Sequence, residues 1–124
     1  MRILVLSNLC PPFSIGGYEI GCANVAAGLH ALGHEVQLAT SYSHLPGPPD
    51  PPYVKRCFGL NWFQPVSIAD ERTLQYSLFQ AAISDYTNTT VLLQRLRDFS
   101  PDLVYVWNLF GIGGIAMLDL LKML

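Results

Sequence analysis

A chain of 124 residues is the size of one domain and can bury about two-thirds of the surface that its unfolded form exposes. Charged residues make up only 13% and apolar residues 51%, with a net charge of −2; the basic residues form no stripe for nucleic acid. No apolar run reaches the roughly 20 residues that cross a bilayer, and the amino end lacks a signal peptide's long apolar region and small-residue cleavage site, so the cytoplasm is the expected compartment.

Arg2-Ile3-Leu4-Val5-Leu6-Ser7-Asn8 is an aliphatic run too short for a helix and is predicted to be a buried strand. The two prolines and two glycines of residues 9–17 require a loop. Helical spacing then runs from Tyr18 to Leu32, and Gly33 stands where a helix end favours a left-handed residue. Val36–Thr40 restarts a strand. Five of the nine prolines crowd into residues 46–52, an extended surface loop, and Tyr53–Phe58 is a candidate third strand. Asp70 is placed to cap a helix with Glu71 in its first turn. In that helix Tyr76, Phe79, Ile83, Tyr86, Thr90 and Leu93 recur at three- and four-residue steps, which predicts a core-facing stripe. The weak helix formers Thr87–Thr90 predict a bend or division. Pro101 ends the helix, Leu103–Trp107 forms the next buried strand, and residues 118–124 are again helical in pattern.

Strands that alternate with helices imply a parallel sheet covered on both faces. Ligands of such sheets bind beyond the carboxyl ends of the strands. The paired glycines Gly16 and Gly17 lie in a loop leaving such an end and open a helix, where unpaired N–H groups and the helix dipole suit an anion; the alternative is a mere tight turn. The loop after Trp107, with Asn108, Gly111 and the glycines that follow, leaves the same edge.

Competing motifs fail. A dinucleotide site needs G-x-G-x-x-G and an acid ending the second strand, but the glycines run G-G-x-x-x-G and Thr40-Ser41 stand in the acid's place. No Gly-Lys-Ser/Thr is present for a P-loop. Cys10, Cys22 and Cys57 are odd in number without C-x-x-C spacing, so neither a disulfide framework nor a zinc site is indicated. His30 and His34 are separated by the helix-ending Gly33 and lack a third ligand. No metal and no cofactor are expected. Cys22, beside Val25 and Leu29, reads as a small core residue. Asn88-Thr89-Thr90 is only formally a glycosylation acceptor.

The string Pro11-Pro12-Phe13-Ser14-Ile15-Gly16-Gly17-Tyr18-Glu19, followed by Ala31-Leu32-Gly33-His34-Glu35-Val36, resembles the opening of a GT-B fold glycosyltransferase of family 4 (group 1), with its "PP…GGxE" loop and "GHEV" helix end. Ser100–Gly111 is similar to the family's "PDVVHVHN" strand and loop. The resemblance covers both ends of the chain and leaves the middle open. It implies a Rossmann-like three-layer α/β domain with a mostly parallel sheet over residues 1–124, the acceptor-side half of an enzyme that moves a sugar from a nucleotide-sugar donor to an acceptor hydroxyl. It also implies a separate C-terminal domain holding most of the nucleotide, absent from this sequence. Gly16 and Gly17 would meet the donor phosphates, while Trp107, Asn108 and Gly111 are candidate acceptor or sugar contacts. Many relatives have histidines where Tyr105 and Trp107 stand, so no catalytic residue is assigned. Trp107 either stacks on a sugar or fills the core, and the Trp62-Phe63 pair after the proline loop reads first as core and second as an acceptor contact. The low charge fits either a surface for a second domain or a hydrophobic small domain. The alternative function is a non-catalytic α/β phosphate-binding module.

Overall fold

The computed structural model describes residues 1–43, 45–61 and 71–124. Seven elements follow in order: β1 (Arg2–Ser7), α1 (Gly17–Ala31), β2 (Glu35–Ser41), β3 (Val54–Phe58), α2 (Glu71–Phe99), β4 (Leu103–Asn108) and α3 (Gly114–Met123). The four strands form one parallel sheet in the order β3-β2-β1-β4, so the chain is the expected Rossmann-like three-layer α/β domain.

Strand β1 lies in the middle because both of its faces can be buried. Ile3 and Val5 turn to one side with Val36, Leu38 and the α1 residues Cys22 and Ala26. Leu4 and Leu6 turn to the other, where Leu92 and Phe99 of α2 and Met117 of α3 complete a second core. This alternation inside a continuous apolar run is what a sheet covered on both faces requires. At the lower edge the Arg2 backbone N–H donates to the Asp102 carboxylate at 2.7 Å, and the Asp102 N–H donates to the Arg2 carbonyl at 2.8 Å. Together they set the start of β4 against β1.

Helix α1 ends as its sequence predicts: Gly33 adopts a left-handed φ of 88°, and the Leu32 and Gly33 N–H groups donate to the carbonyls of Gly28 and His30. Gly28 is an exposed interior residue of α1, and nothing lies within 4 Å of a Cβ built there. Gly28→Ala is therefore expected to stabilise the fold by about 0.5–1 kcal/mol, the helix-propensity difference, readable as a higher urea midpoint. Among the described residues of 42–53, which join β2 to β3, there is no helix, so the proline-rich loop is itself the crossover.

The predicted stripe on α2 is wrong in phase. Tyr76, Phe79, Ile83 and Tyr86 are 66%, 61%, 46% and 77% exposed, and Thr90 is exposed too. The buried line is instead Asn88, Leu92 and Phe99, with Val91 and Leu96 beside it. A polar residue sets that phase. Asn88 accepts the Gly59 N–H at 2.9 Å through Oδ1 and donates to the Gly59 carbonyl at 2.7 Å through Nδ2, pairing the chain beyond β3 as a second strand would. Periodicity counts Asn88 as surface and so turns the helix the wrong way. With its amide spent and buried, Asn88 offers nothing to a glycan.

Nor is α2 divided at Thr87–Thr90. The hydroxyls of Thr89 and Thr90 donate back to the carbonyls of Asp85 and Tyr86, an internal outlet compatible with a continuous helix. The proposed Asp70 cap and the Trp62-Phe63 pair lie outside the described residues. No helix among the described residues is long and apolar enough to cross a membrane. All three cysteines are free and buried. Burial pushes each thiol up, that of Cys22 to about 11, consistent with packing rather than reactivity.

Candidate functional site

The carboxyl ends of β1 and β4 are stitched together by two asparagines. The Asn8 N–H donates to the Asn108 carbonyl at 2.8 Å, and Asn8 Nδ2 donates to the Phe110 carbonyl at 2.9 Å. Asn108 Oδ1 in turn accepts the Phe110 N–H at 2.9 Å. The pairing of β1 with β4 slips after Leu6–Val106, so that Ser7 opposes Asn108 and Trp107 is the extra residue of a bulge. Bulges of this kind bend a strand end and re-aim its side chains. Here the bulge delivers Asn108 to the crevice and turns Trp107 towards α1.

Tyr18, in the first turn of α1, brings the glycine loop to the same place. Its hydroxyl donates to Asn8 Oδ1 over a long 3.4 Å. Burial raises the Tyr18 hydroxyl above its ordinary range, opposed by its hydrogen bonds with the amides of Asn8 and Asn108. Gly16, Gly17, Asn108 and Gly111 thus gather at one edge of the sheet although about ninety residues separate the two loops. Trp107 faces elsewhere: its ring lies 3.4 Å from a Cβ built at Gly21 of α1 and meets Tyr105 edge-on at 5.7 Å. It packs, half-buried, against the cluster between the sheet and α1.

The glycines divide into two kinds. Gly111 (φ 77°) and Gly113 (φ 154°) have left-handed backbones, and a Cβ at Gly111 would stand 2.9 Å from the Asn61 carbonyl oxygen. The fold itself demands glycine there. Gly16 is extended, with φ −146°; a Cβ on it would make only ordinary contacts at 3.8 Å, and a Cβ on Gly17 would touch nothing within 4 Å. Both are exposed. Neither turn geometry nor internal packing requires these two glycines, so the tight-turn explanation lacks support.

One residue that sequence reasoning left without a role is Glu19, 0% exposed. Its carboxylate accepts the Ile15 N–H at 2.9 Å and the Gly16 N–H at 3.0 Å. Burial pushes the carboxyl up, but the backbone hydrogen bonds from Ile15, Glu19 and Gly16 outweigh it and hold it below the ordinary carboxylate range. The signal was present in the sequence, since a Glu three residues into a helix is half of a capping box, but the partner position is Gly16 rather than Ser or Thr. Glu19 uses the Ile15 and Gly16 donors and leaves Gly17 and Tyr18 as the N–H groups through which the start of α1 can meet a ligand.

The sign of its titration follows. A carboxyl with a lowered folded value contributes stability above its unfolded pKa of about 4.3 and loses it as pH falls through the folded value. Glu19→Gln is therefore expected to cost about 1–3 kcal/mol at pH 7, the range for a charged buried hydrogen-bond acceptor. The cost should shrink below pH 4, as read from urea melts at both pH values.

Arg56 of β3 is the second residue the sequence did not flag. Its side chain is 13% exposed and pairs with Asp50 of the proline-rich loop, Nε at 2.7 Å and Nη2 at 3.0 Å. It also donates to the carbonyls of Pro11 at 2.7 Å, Ser41 at 3.3 Å and Cys10 at 3.5 Å. No signal short of the fold brings these loops together.

Elsewhere, a cavity of about 760 Å³ lies between α2, β4 and α3, walled by Leu93, Leu96, Val104, Val106, Leu118 and Leu121. Its lining is mainly apolar, with Arg97, Ser100 and Lys122 also part of it, and it lies away from the glycine loop. Among the described residues no three His, Cys, Asp or Glu side chains converge as a metal site. No family model, no curated protein and no solved structure matches this chain.

Proposed function

We propose that this chain is the acceptor-side portion of a glycosyltransferase, working in the cytoplasm, whose glycine loop approaches the phosphates of a nucleotide-sugar donor. The observation that carries the reading is the pair Gly16–Gly17, exposed at the start of α1 with room for side chains that the sequence does not supply. Glycine without a conformational reason fits a place where another molecule comes close to the backbone. The Gly17 and Tyr18 N–H groups at a helix start suit an anion, and the position beyond the carboxyl ends of β1 and β4 is where parallel sheets take ligands. The acceptor would lie on the side of Asn108 and Gly111. A second, donor-side domain would supply most of the nucleotide contacts, and no metal or cofactor enters the reading.

A second reading keeps the phosphate site without catalysis. It is favoured by the absence, among the described residues, of a free acid or base at the crevice: Glu19 is the carboxylate there, and its oxygens are already engaged. Titration of the ¹⁵N-labelled chain with UDP, GDP and inorganic phosphate tests both. Amide shifts centred on Gly16, Gly17 and Tyr18 that are larger for the nucleotides support the donor reading. Equal shifts with phosphate alone support the module. No shifts at these residues at millimolar ligand overturn both.

A further inference from the structure

The glycine loop meets a second loop, and polar contacts join them. Residues 9–16 leave β1, and residues 42–53 cross from β2 to β3. A cavity of about 160 Å³ adjoins both loops, bordered by Cys10, Pro11, Asp50 and Tyr53 together with Ala23 of α1 and Leu38 of β2. The Arg56 guanidinium spans this junction, holding the carbonyls of Cys10 and Pro11 on one side, and Ser41 and the Asp50 carboxylate on the other. A planar fork with five donors can hold so many acceptors in fixed directions, whereas a lysine ammonium is a single point of charge. Gly47 adds the other close approach, since a Cβ there would lie 3.1 Å from Pro12 Cγ.

We propose that Arg56 is the positioning residue of this site: it sets the geometry of residues 10–16, and through them the affinity of the Gly16–Gly17 backbone for a phosphate-bearing ligand, without touching that ligand. Asp50 orients the guanidinium in turn. The affinity part rests on the donor reading above; the hold on the loop does not. Because the side chain is mostly buried and its acceptors are largely backbone carbonyls, its removal frees the loop rather than re-forming the contact elsewhere.

The test compares the wild-type chain with Arg56→Lys and Asp50→Asn by residue-resolved amide hydrogen exchange, thermal melting and UDP titration. In Arg56→Lys the amides of residues 9–17 should exchange about tenfold faster, and those in the middle of β1 and β2 should stay at wild-type rates. UDP affinity should fall about tenfold, as displacements of an ångström at a binding backbone can cost that much or more. Asp50→Asn should shift both readouts in the same direction by less, and it decides the matter if Arg56→Lys fails to fold. Unchanged exchange at residues 9–17 in both variants overturns the proposal, as does a loosened loop with wild-type UDP affinity. If the wild type does not bind UDP, the donor reading falls separately. The exchange arm then stands alone, and wild-type protection in the variants overturns the role of Arg56 as well.

Discussion

Gly111→Ala is expected to destabilise the fold by about 2–5 kcal/mol, the sum of about 1–2 kcal/mol for a left-handed non-glycine backbone and about 1–3 kcal/mol for an overpacked contact. The strain is local and identifiable. Gly111 has φ 77°, its carbonyl accepts the Asn61 N–H at 2.7 Å, and the new Cβ would meet the Asn61 carbonyl oxygen at 2.9 Å and Leu60 Cδ1 at 3.1 Å. Backbone cannot yield as a side-chain tip can. Gly114→Ala separates the two causes: φ there is 48° and nothing lies within 4 Å of the added carbon, so only the dihedral cost of about 1–2 kcal/mol applies. A drop in Tm on the order of 10 °C for Gly111→Ala, with a clearly smaller one for Gly114→Ala, is the result to look for. Equal and small drops would mean that the loop after β4 relaxes freely and does not fix Asn108 at the crevice.

What the sequence disclosed follows from how local each signal is. Strands β1, β2 and β4 are located correctly because each is a short run rich in aliphatic residues. Strand β4, however, expected to be buried, is an edge strand of the described sheet that leaves Leu103 and Tyr105 exposed. The end of α1 is read correctly because Gly33 serves a backbone angle. The phase of α2 is missed because a paired polar residue, Asn88, replaces an apolar one on the inner line, and pattern reading cannot distinguish an amide that faces solvent from one that binds Gly59. That the loops carrying Gly16, Gly17, Asn108 and Gly111 leave the same end of the sheet is legible from strand alternation; that they are neighbours comes from the family resemblance. The roles of Glu19, Tyr18 and Arg56 are not legible. Arg56 joins Pro11, Ser41 and Asp50 from three different segments, a relation that exists only once the sheet order β3-β2-β1 is known. Trp107 shows the limit within a single strand: an apolar aromatic at a strand end suits sugar or core equally, and a bulge one residue long decides its direction.

Gly17→Val bears most directly on function. The left-handed strain that often confounds such substitutions is absent, because Gly17 has no positive φ and its Cβ would enter open space. As the first residue of α1, valine has no worse a helix propensity than glycine, so circular dichroism and melting should stay near wild type. A branched side chain would nevertheless stand over the N–H groups of Gly17 and Tyr18, the donors Glu19 leaves unused. In a transferase carrying this domain, obstructing one such donor to developing charge is expected to lower turnover by about 10² to 10³. In the chain alone the same variant should abolish nucleotide-induced shifts at Gly16 and Tyr18. Gly28→Ala, at the far end of the same helix, is the control and should bind as wild type. If valine at position 17 leaves both fold and nucleotide response intact, the exposed glycines do not face a ligand, and the phosphate reading of this loop falls.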